Sequence, residues 1–191
     1  MHFLFNSVVS TTLNISPLDS LIIGTVFYIL FLPFSAKKGL KKNIFYFSVF
    51  LYGSFLFFLT IPIVLQPYPE KFLLKTKWAF SEIIWDPFYS ARSIHTAAAR
   101  IKLMGGNFCL LMPISVFGII RNRECSFKKI LLLASGISVG IELLQFIGNI
   151  VIGYSYRTVE LLDIMLNVSG AMVCFAFVRA FCYNSAGAVR K

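Results

Sequence analysis

Apolar residues in this chain come in long blocks, not in the strict alternation of a half-buried strand or the single stripe of a surface helix. A helix needs about 20 consecutive apolar residues to cross the hydrocarbon of a bilayer. Five blocks of that kind are present, at Pro17 to Ala36, Asn43 to Leu65, Ile101 to Ile120, Ile130 to Ile152 and Glu160 to Cys182. The pattern predicts an all-α polytopic membrane helical bundle of about five transmembrane helices, forming one membrane domain over residues 1–191.

The blocks differ in how they begin and how cleanly they run. Ser16-Pro17-Leu18-Asp19 supplies a capping hydroxyl, a proline at the first helical position and a carboxylate in the first turn. No Lys or Arg precedes Lys37, so the first block lacks the basic flank of a cleaved leader and is expected to stay in the mature protein. In the third block the clean core, Asn107 to Ile120, has 14 residues and contains Pro113. A short span, a kinked span and a segment that only dips into the bilayer all fit it.

Within the last two blocks the polar residues fall on a helical period. Ser135, Ser138, Glu142, Gln145 and Asn149 are spaced 3, 4, 3 and 4, and Glu160, Asp163, Asn167, Gly170 and Cys174 repeat that spacing. At about 3.6 residues per turn each set is one stripe on one helix face. A short link forces the two helices to run antiparallel, so both stripes can line one seam. With the link centred near residue 155, Gln145 is expected level with Asn167, and Glu142 level with Ser169 and Gly170. At a rise of about 1.5 Å per residue, Glu142 would lie about 15 Å from the link and Asp163 about 8 Å. Gly170 opposite Glu142 would then let the helices approach closely.

Composition agrees with the block pattern. Hydrophobic residues make up 58% and charged residues 14% of the 191, and mean hydropathy is +0.78. Against this background a carboxylate inside an apolar helix is costly unless it is paired or wetted, and two facing each other imply a site. Packing alone could be served by Gln and Asn without the desolvation of two charges.

The formal charge of +10 sets orientation more than partner choice. Lys37, Lys38, Lys41 and Lys42 fill the first link, Arg121, Arg123, Lys128 and Lys129 the third, and Arg179, Arg190 and Lys191 lie at or beyond the last span. The positive-inside rule puts these regions in the cytoplasm, with the N-terminus, residues 66–104 and the link around Arg157 outside and the C-terminus inside. Residues 66–104 also carry Lys71, Lys75, Lys77, Arg92, Arg100 and Lys102 among Phe72, Trp78, Phe80, Trp85, Phe88 and Tyr89. That mixture suits an interfacial segment on the outer leaflet, with basic side chains at lipid phosphates. Basic residues spread along membrane borders give no nucleic-acid footprint.

Metal and cofactor signals are lacking. Cys109, Cys125, Cys174 and Cys182 form no C-x-x-C pair and read as small buried hydrophobes, and His2 and His95 lie far apart. No metal and no cofactor is expected.

The polar residues resemble a known pattern. Glu142-x-x-Gln145, then Arg157, then Asp163-x-x-x-Asn167-x-x-Gly170 is similar to the signature of the VanZ-like membrane proteins. Asp86-Pro87-Phe88 resembles that family's Pro-Phe element, and Asn107 followed by Pro113 its preceding helix, so the likeness covers residues 80–178. The chain departs from the pattern where it has Asn167-Val168-Ser169-Gly170 and then Ala171-Met172-Val173-Cys174, without the family's usual threonine and later glycines. The resemblance implies a cell-envelope protein linked to low-level resistance to the glycopeptide teicoplanin, and supplies no reaction.

Four functional classes follow. The first is a chemically active intramembrane site on a lipid-linked cell-envelope component, such as hydrolysis or group transfer on a polyprenyl-phosphate carrier. Glu142 would serve as general acid or base, with Asp163 orienting Arg157 or sharing the proton. Arg157 would clamp a phosphate or carboxylate, Gln145, Asn167 and Asn107 would hold substrate polar groups, and Gly170 and Pro113 would serve helix packing. The second class is a non-catalytic binder of a lipid headgroup, a lipid-anchored precursor or an antibiotic's acyl tail. A transporter is disfavoured because the inner halves of both helices carry only serines. A scaffold for wall-synthesis machinery would depend on the basic links at Lys37, Lys38, Arg121 and Arg123 instead of the seam. Oligomeric state is left open, and so is the question of whether there is an enzyme activity at all.

Overall fold

The computed structural model describes residues 12–13, 16–61, 63–64, 78–152 and 157–188. Five helices among these are long and apolar enough to cross a membrane: Leu18–Lys38, Leu40–Thr60, Ala97–Arg121, Phe127–Val151 and Leu161–Phe181. The all-α membrane bundle expected from the block pattern is what the chain forms. Among the described residues the departures in type are a two-residue antiparallel pair, Thr12–Leu13 with Ile63–Val64, and an isolated bridge between Ile84 and Glu160. The ladder of the pair satisfies backbone groups just outside the ends of the first two helices.

Residue contacts group the chain into two compact units, Met1–Ile83 with Leu143–Thr158, and Ile84–Glu142 with Val159–Lys191. In the first unit, α1 (Pro17–Ser35) and α2 (Leu40–Thr60) form a hairpin. The predicted start of α1 holds as a full capping box: Ser16 Oγ accepts from the Asp19 amide, and the Asp19 carboxylate accepts from the Ser16 amide, each at 3.2 Å. The turn runs through a 3-10 segment, Ala36–Lys38, to Gly39, whose φ of +87° only glycine adopts without strain. Close approach of the two helices is set by small residues. A Cβ on Gly24 would sit 3.0 Å from the Phe50 carbonyl oxygen, and Ser54 Oγ donates to the Ser20 carbonyl at 2.7 Å. Nearer the turn, Tyr28 and Phe31 meet Phe47, Phe50 and Tyr46, and Lys38 lies over the Tyr46 ring at 5.1 Å.

The second unit begins with the motif Asp86-Pro87-Phe88. Asp86 Oδ1 accepts from the Phe88 amide at 2.9 Å, and its carboxylate pairs with Arg92, opening the short helix α3 (Tyr89–Ser93). Phe80, Trp85, Phe88 and Tyr89 are all exposed. Residues 66–77 of that segment, including Lys71, Phe72, Lys75 and Lys77, lie outside the described residues.

The third span is longer than its clean core and is broken: Ala97–Arg121 is long and apolar enough to cross a membrane. It comprises α4 (Ala97–Arg100), a π-helical stretch at Ile101–Gly105, α5 (Gly106–Leu110) and α6 (Met112–Arg121). Pro113 lies in the first turn of α6, where its missing N–H costs nothing, so the interruption falls just before it at Leu111. α7 (Phe127–Ile152) and α8 (Leu161–Ala188) follow. α8 packs on the third span through Gly170, where a Cβ would overlap the Phe108 carbonyl, and through Ser115 Oγ, which donates to the Ala171 carbonyl at 2.6 Å. Ile119, Cys125, Ile130 and Phe175 fill the space at the other end, where Arg179 donates to the carbonyls of Arg123 and Cys125. Two of the basic regions assigned to one side of the membrane are therefore adjacent. Cys125 is buried as expected, but Cys109, on the short helix α5, is exposed and Cys174 is half-buried.

Candidate functional site

Both polar stripes face inward. Ser138, Glu142, Gln145 and Asn149 on α7, and Asn167 and Gly170 on α8, are buried, while their neighbours Val139, Leu143, Leu144, Ile147, Met165 and Val173 are exposed. The period read from the sequence therefore identifies the protein-facing side of each helix, and the apolar remainder is left for lipid.

In the second unit the stripes build a polar cluster from three segments of the chain. Glu142 Oε2 accepts from the Glu160 backbone amide at 3.1 Å. Four residues earlier on α7, Ser138 Oγ accepts from Asn167 Nδ2 at 3.0 Å. One turn before Asn167 on α8, Asp163 accepts from Asn107 Nδ2 of α5. Through these contacts Glu142, Glu160 and Asp163 lie on adjoining turns around the start of α8. The start of α8 is positioned by Ile84, which precedes the Asp-Pro-Phe motif: the Ile84 amide donates to the Val159 carbonyl at 2.9 Å, and the Leu161 amide donates to the Ile84 carbonyl at 3.1 Å. This bridge turns the Glu160 amide toward Glu142 and satisfies the first amide of the helix.

The cluster is incompletely satisfied. Glu142, Glu160 and Asn167 are 4%, 7% and 1% exposed, and Glu142 Oε1, Glu160 Oε2 and Asn167 Oδ1 have no hydrogen-bond partner among the described residues. Leaving such a group unpaired costs about 1–3 kcal/mol, and more when it is charged. Neither glutamate belongs to an ion pair among the described residues.

The seam register expected from the sequence is corrected here. Asn167 meets Ser138, not Gln145, and the Glu142 carboxylate meets the residue just before α8, not the level of Gly170. Gly170 instead lies against the Phe108 backbone. The expectation assumed a helical rise on both sides of the link. Residues 158–160 are not helical, and extended chain advances about 3.3 Å per residue, roughly twice the helical rise. The second helix therefore starts deeper along the first.

The other predicted site residues lie in the first unit and make different contacts. Gln145 Nε2 donates to the Thr60 carbonyl at 2.9 Å. Asn149 holds both backbone groups of Arg157, donating to its carbonyl at 2.6 Å and accepting from its amide at 3.2 Å. The Arg157 guanidinium donates to the Leu59 carbonyl at 2.9 Å. Asn107, Asp163, Asn167 and Glu142 are thus brought together, whereas Gln145 and Arg157 tie the end of α2 to the segment after α7. Glu160 and Ser138 were seen in the stripes but given no role. The signal for Glu160 was its place at the head of the second stripe.

Comparison with known proteins supplies a family and little else. No curated protein and no solved structure matches the chain. The profile of the family described as VanZ/LLP1 matches residues 20–182, so the first two spans, which carry none of the signature residues, belong to the match as well. A match over most of the chain and five membrane-length helices together show that this is a multi-pass membrane protein belonging to the VanZ/LLP1 family.

Proposed function

We propose that this protein binds the polar end of a lipid-linked cell-envelope component in the cluster of Glu142, Glu160, Asp163, Asn107 and Asn167. Through that binding it gives low-level tolerance of teicoplanin-type glycopeptides. The observation that carries the reading is Glu142 itself, a buried carboxyl group with one oxygen fixed by a backbone amide and the other unpartnered. A residue retained only for packing would have both oxygens satisfied or would be an amide. Glu142 is also the group able to exchange a proton with a bound substrate, should chemistry follow binding. In the other unit Arg157 gives an N–H to Leu59 and keeps further donors for an anionic group such as a phosphate.

The link near Arg157 is proposed to face the cell exterior and the Asn122 turn the cytoplasm, as the basic residues around that turn favour. Cysteines placed at Thr158 and at Asn122 test this by labelling of intact cells with a membrane-impermeant reagent. Labelling at 158 alone is expected, and labelling at 122 alone would contradict an outer-leaflet substrate.

The decisive variant is Glu142→Gln, which keeps shape and hydrogen bonding and removes the charge and the titratable group. At normal membrane abundance it is expected to lose teicoplanin protection. Full protection by that variant would refute a role for the carboxyl group. Equal or greater loss on neutralising Lys37, Lys38, Arg121 and Arg123 would favour a docking scaffold.

A further inference from the structure

The atoms left unpartnered in the cluster are all oxygens, and that restricts what can bind. A phosphate, sulfate or carboxylate brings only acceptors and negative charge to this surface. It would meet Glu142 Oε1, Glu160 Oε2 and Asn167 Oδ1, none of which can donate to it while the glutamates are ionised. Asn167 presents its oxygen because its amide nitrogen is engaged by Ser138 at 3.0 Å. The oxygens of Glu142 and Asn167 come from neighbouring turns of two helices, and Glu160 joins them through its own amide on Glu142.

A metal ion is a second candidate for an acidic cluster. Among the described residues, however, no group of three His, Cys, Asp or Glu side chains able to hold a metal ion occurs. A compact organic cation needs no such set of ligands. A primary ammonium has three N–H donors to offer these oxygens, and a positive charge for two glutamates that belong to no ion pair among the described residues.

Resting on the binding role proposed above, we infer that the ligand group seated among Glu142, Glu160 and Asn167 is a protonated primary amine. Such a group occurs on aminated lipid headgroups and on free amines and amino sugars, and the chemistry at the cluster is the same for both. Glu160 is then a binding residue in its own right, contributing its side-chain oxygen to the ligand as well as its backbone amide to Glu142.

The test uses the full chain in nanodiscs of neutral phosphatidylcholine and three single-chain probes of equal length: dodecylamine, dodecyl phosphate and dodecyl glucoside. Saturable binding of one dodecylamine per chain is expected, about tenfold tighter than the phosphate. Glu142→Gln and Glu160→Gln are each expected to weaken the amine about tenfold and leave the glucoside unchanged. The probe series is read on the unaltered protein, so a variant that fails to fold does not void the result. Competition by soluble glucosamine would mark a free amine as the ligand and its absence a lipid-anchored one, and either supports the ammonium assignment. Tighter binding of the phosphate, or displacement of the amine by micromolar Mn²⁺, would overturn the assignment while leaving a binding site in place. Absence of any saturable probe binding that responds to these substitutions would overturn the site reading too.

Discussion

In the unit built on the α1–α2 hairpin, the buried amides of Gln145 and Asn149 end on backbone groups of Thr60 and Arg157. In the unit containing the third span and α8, Glu142, Glu160 and Asn167 each keep one buried oxygen without a partner. Residues of both kinds sit on the same stripe of α7, at the same helical spacing and with the same degree of burial. Spacing therefore identifies which polar residues face the protein, and hydrogen-bond completion separates those that hold it together from those that the proposed binding role would use. The division is not perfect. Asn43 Oδ1, in the first turn of α2, is also unpartnered, but Asn43 stands alone beside Lys41 and Lys42 with no second such group.

Substitutions on the two sides of this division should behave oppositely, and the largest effect is expected from packing in the second unit. Gly170→Val places a side chain on the Phe108 backbone, which cannot rotate away. It should cost about 3 kcal/mol or more in a denaturant titration of the purified protein, with little folded protein recovered from membranes. Next comes Asn149→Leu, which strands both backbone groups of Arg157 and should cost about 2 kcal/mol. Gln145→Leu removes one bond to the Thr60 carbonyl and should cost about 1 kcal/mol, with teicoplanin protection falling only as far as abundance does. Glu142→Gln should leave unfolding free energy unchanged or raise it by up to about 1 kcal/mol, because a desolvated charge disappears, yet should abolish protection. The smallest change is expected at the exposed, apolar Val139: Val139→Leu should alter stability by less than about 0.5 kcal/mol. If Gln145→Leu abolished protection at full abundance, or Glu142→Gln unfolded the protein, the contrast between the two groups would be lost.

Much of this was legible in the residues. Long apolar blocks specify spanning helices because lipid leaves the backbone no other partner. The 3, 4, 3, 4 spacing of each stripe was enough to select Glu142, Asp163 and Asn167, and the Ser16–Asp19 cap announced the start of α1. The register of the seam was not legible, since it depends on a few extended residues, 158–160, that carry no distinctive signature. Nor were the partners of Gln145 and Arg157. Thr60 and Leu59 accept through backbone carbonyls 85 and 98 residues away, and every residue has a carbonyl. Asn107 was suspected only from its place in a family pattern, and its bond to Asp163 depends on how the π-helical stretch turns α5.

The most direct measurement is an experimental density map of the protein purified from its native membrane in mild detergent, at a resolution that shows small ligands. Non-protein density bridging Glu142 Oε1, Glu160 Oε2 and Asn167 Oδ1 is the expected result. The contrary result is a closed cluster, in which a reoriented Asn167 amide donates to the glutamates and no space remains among the three side chains.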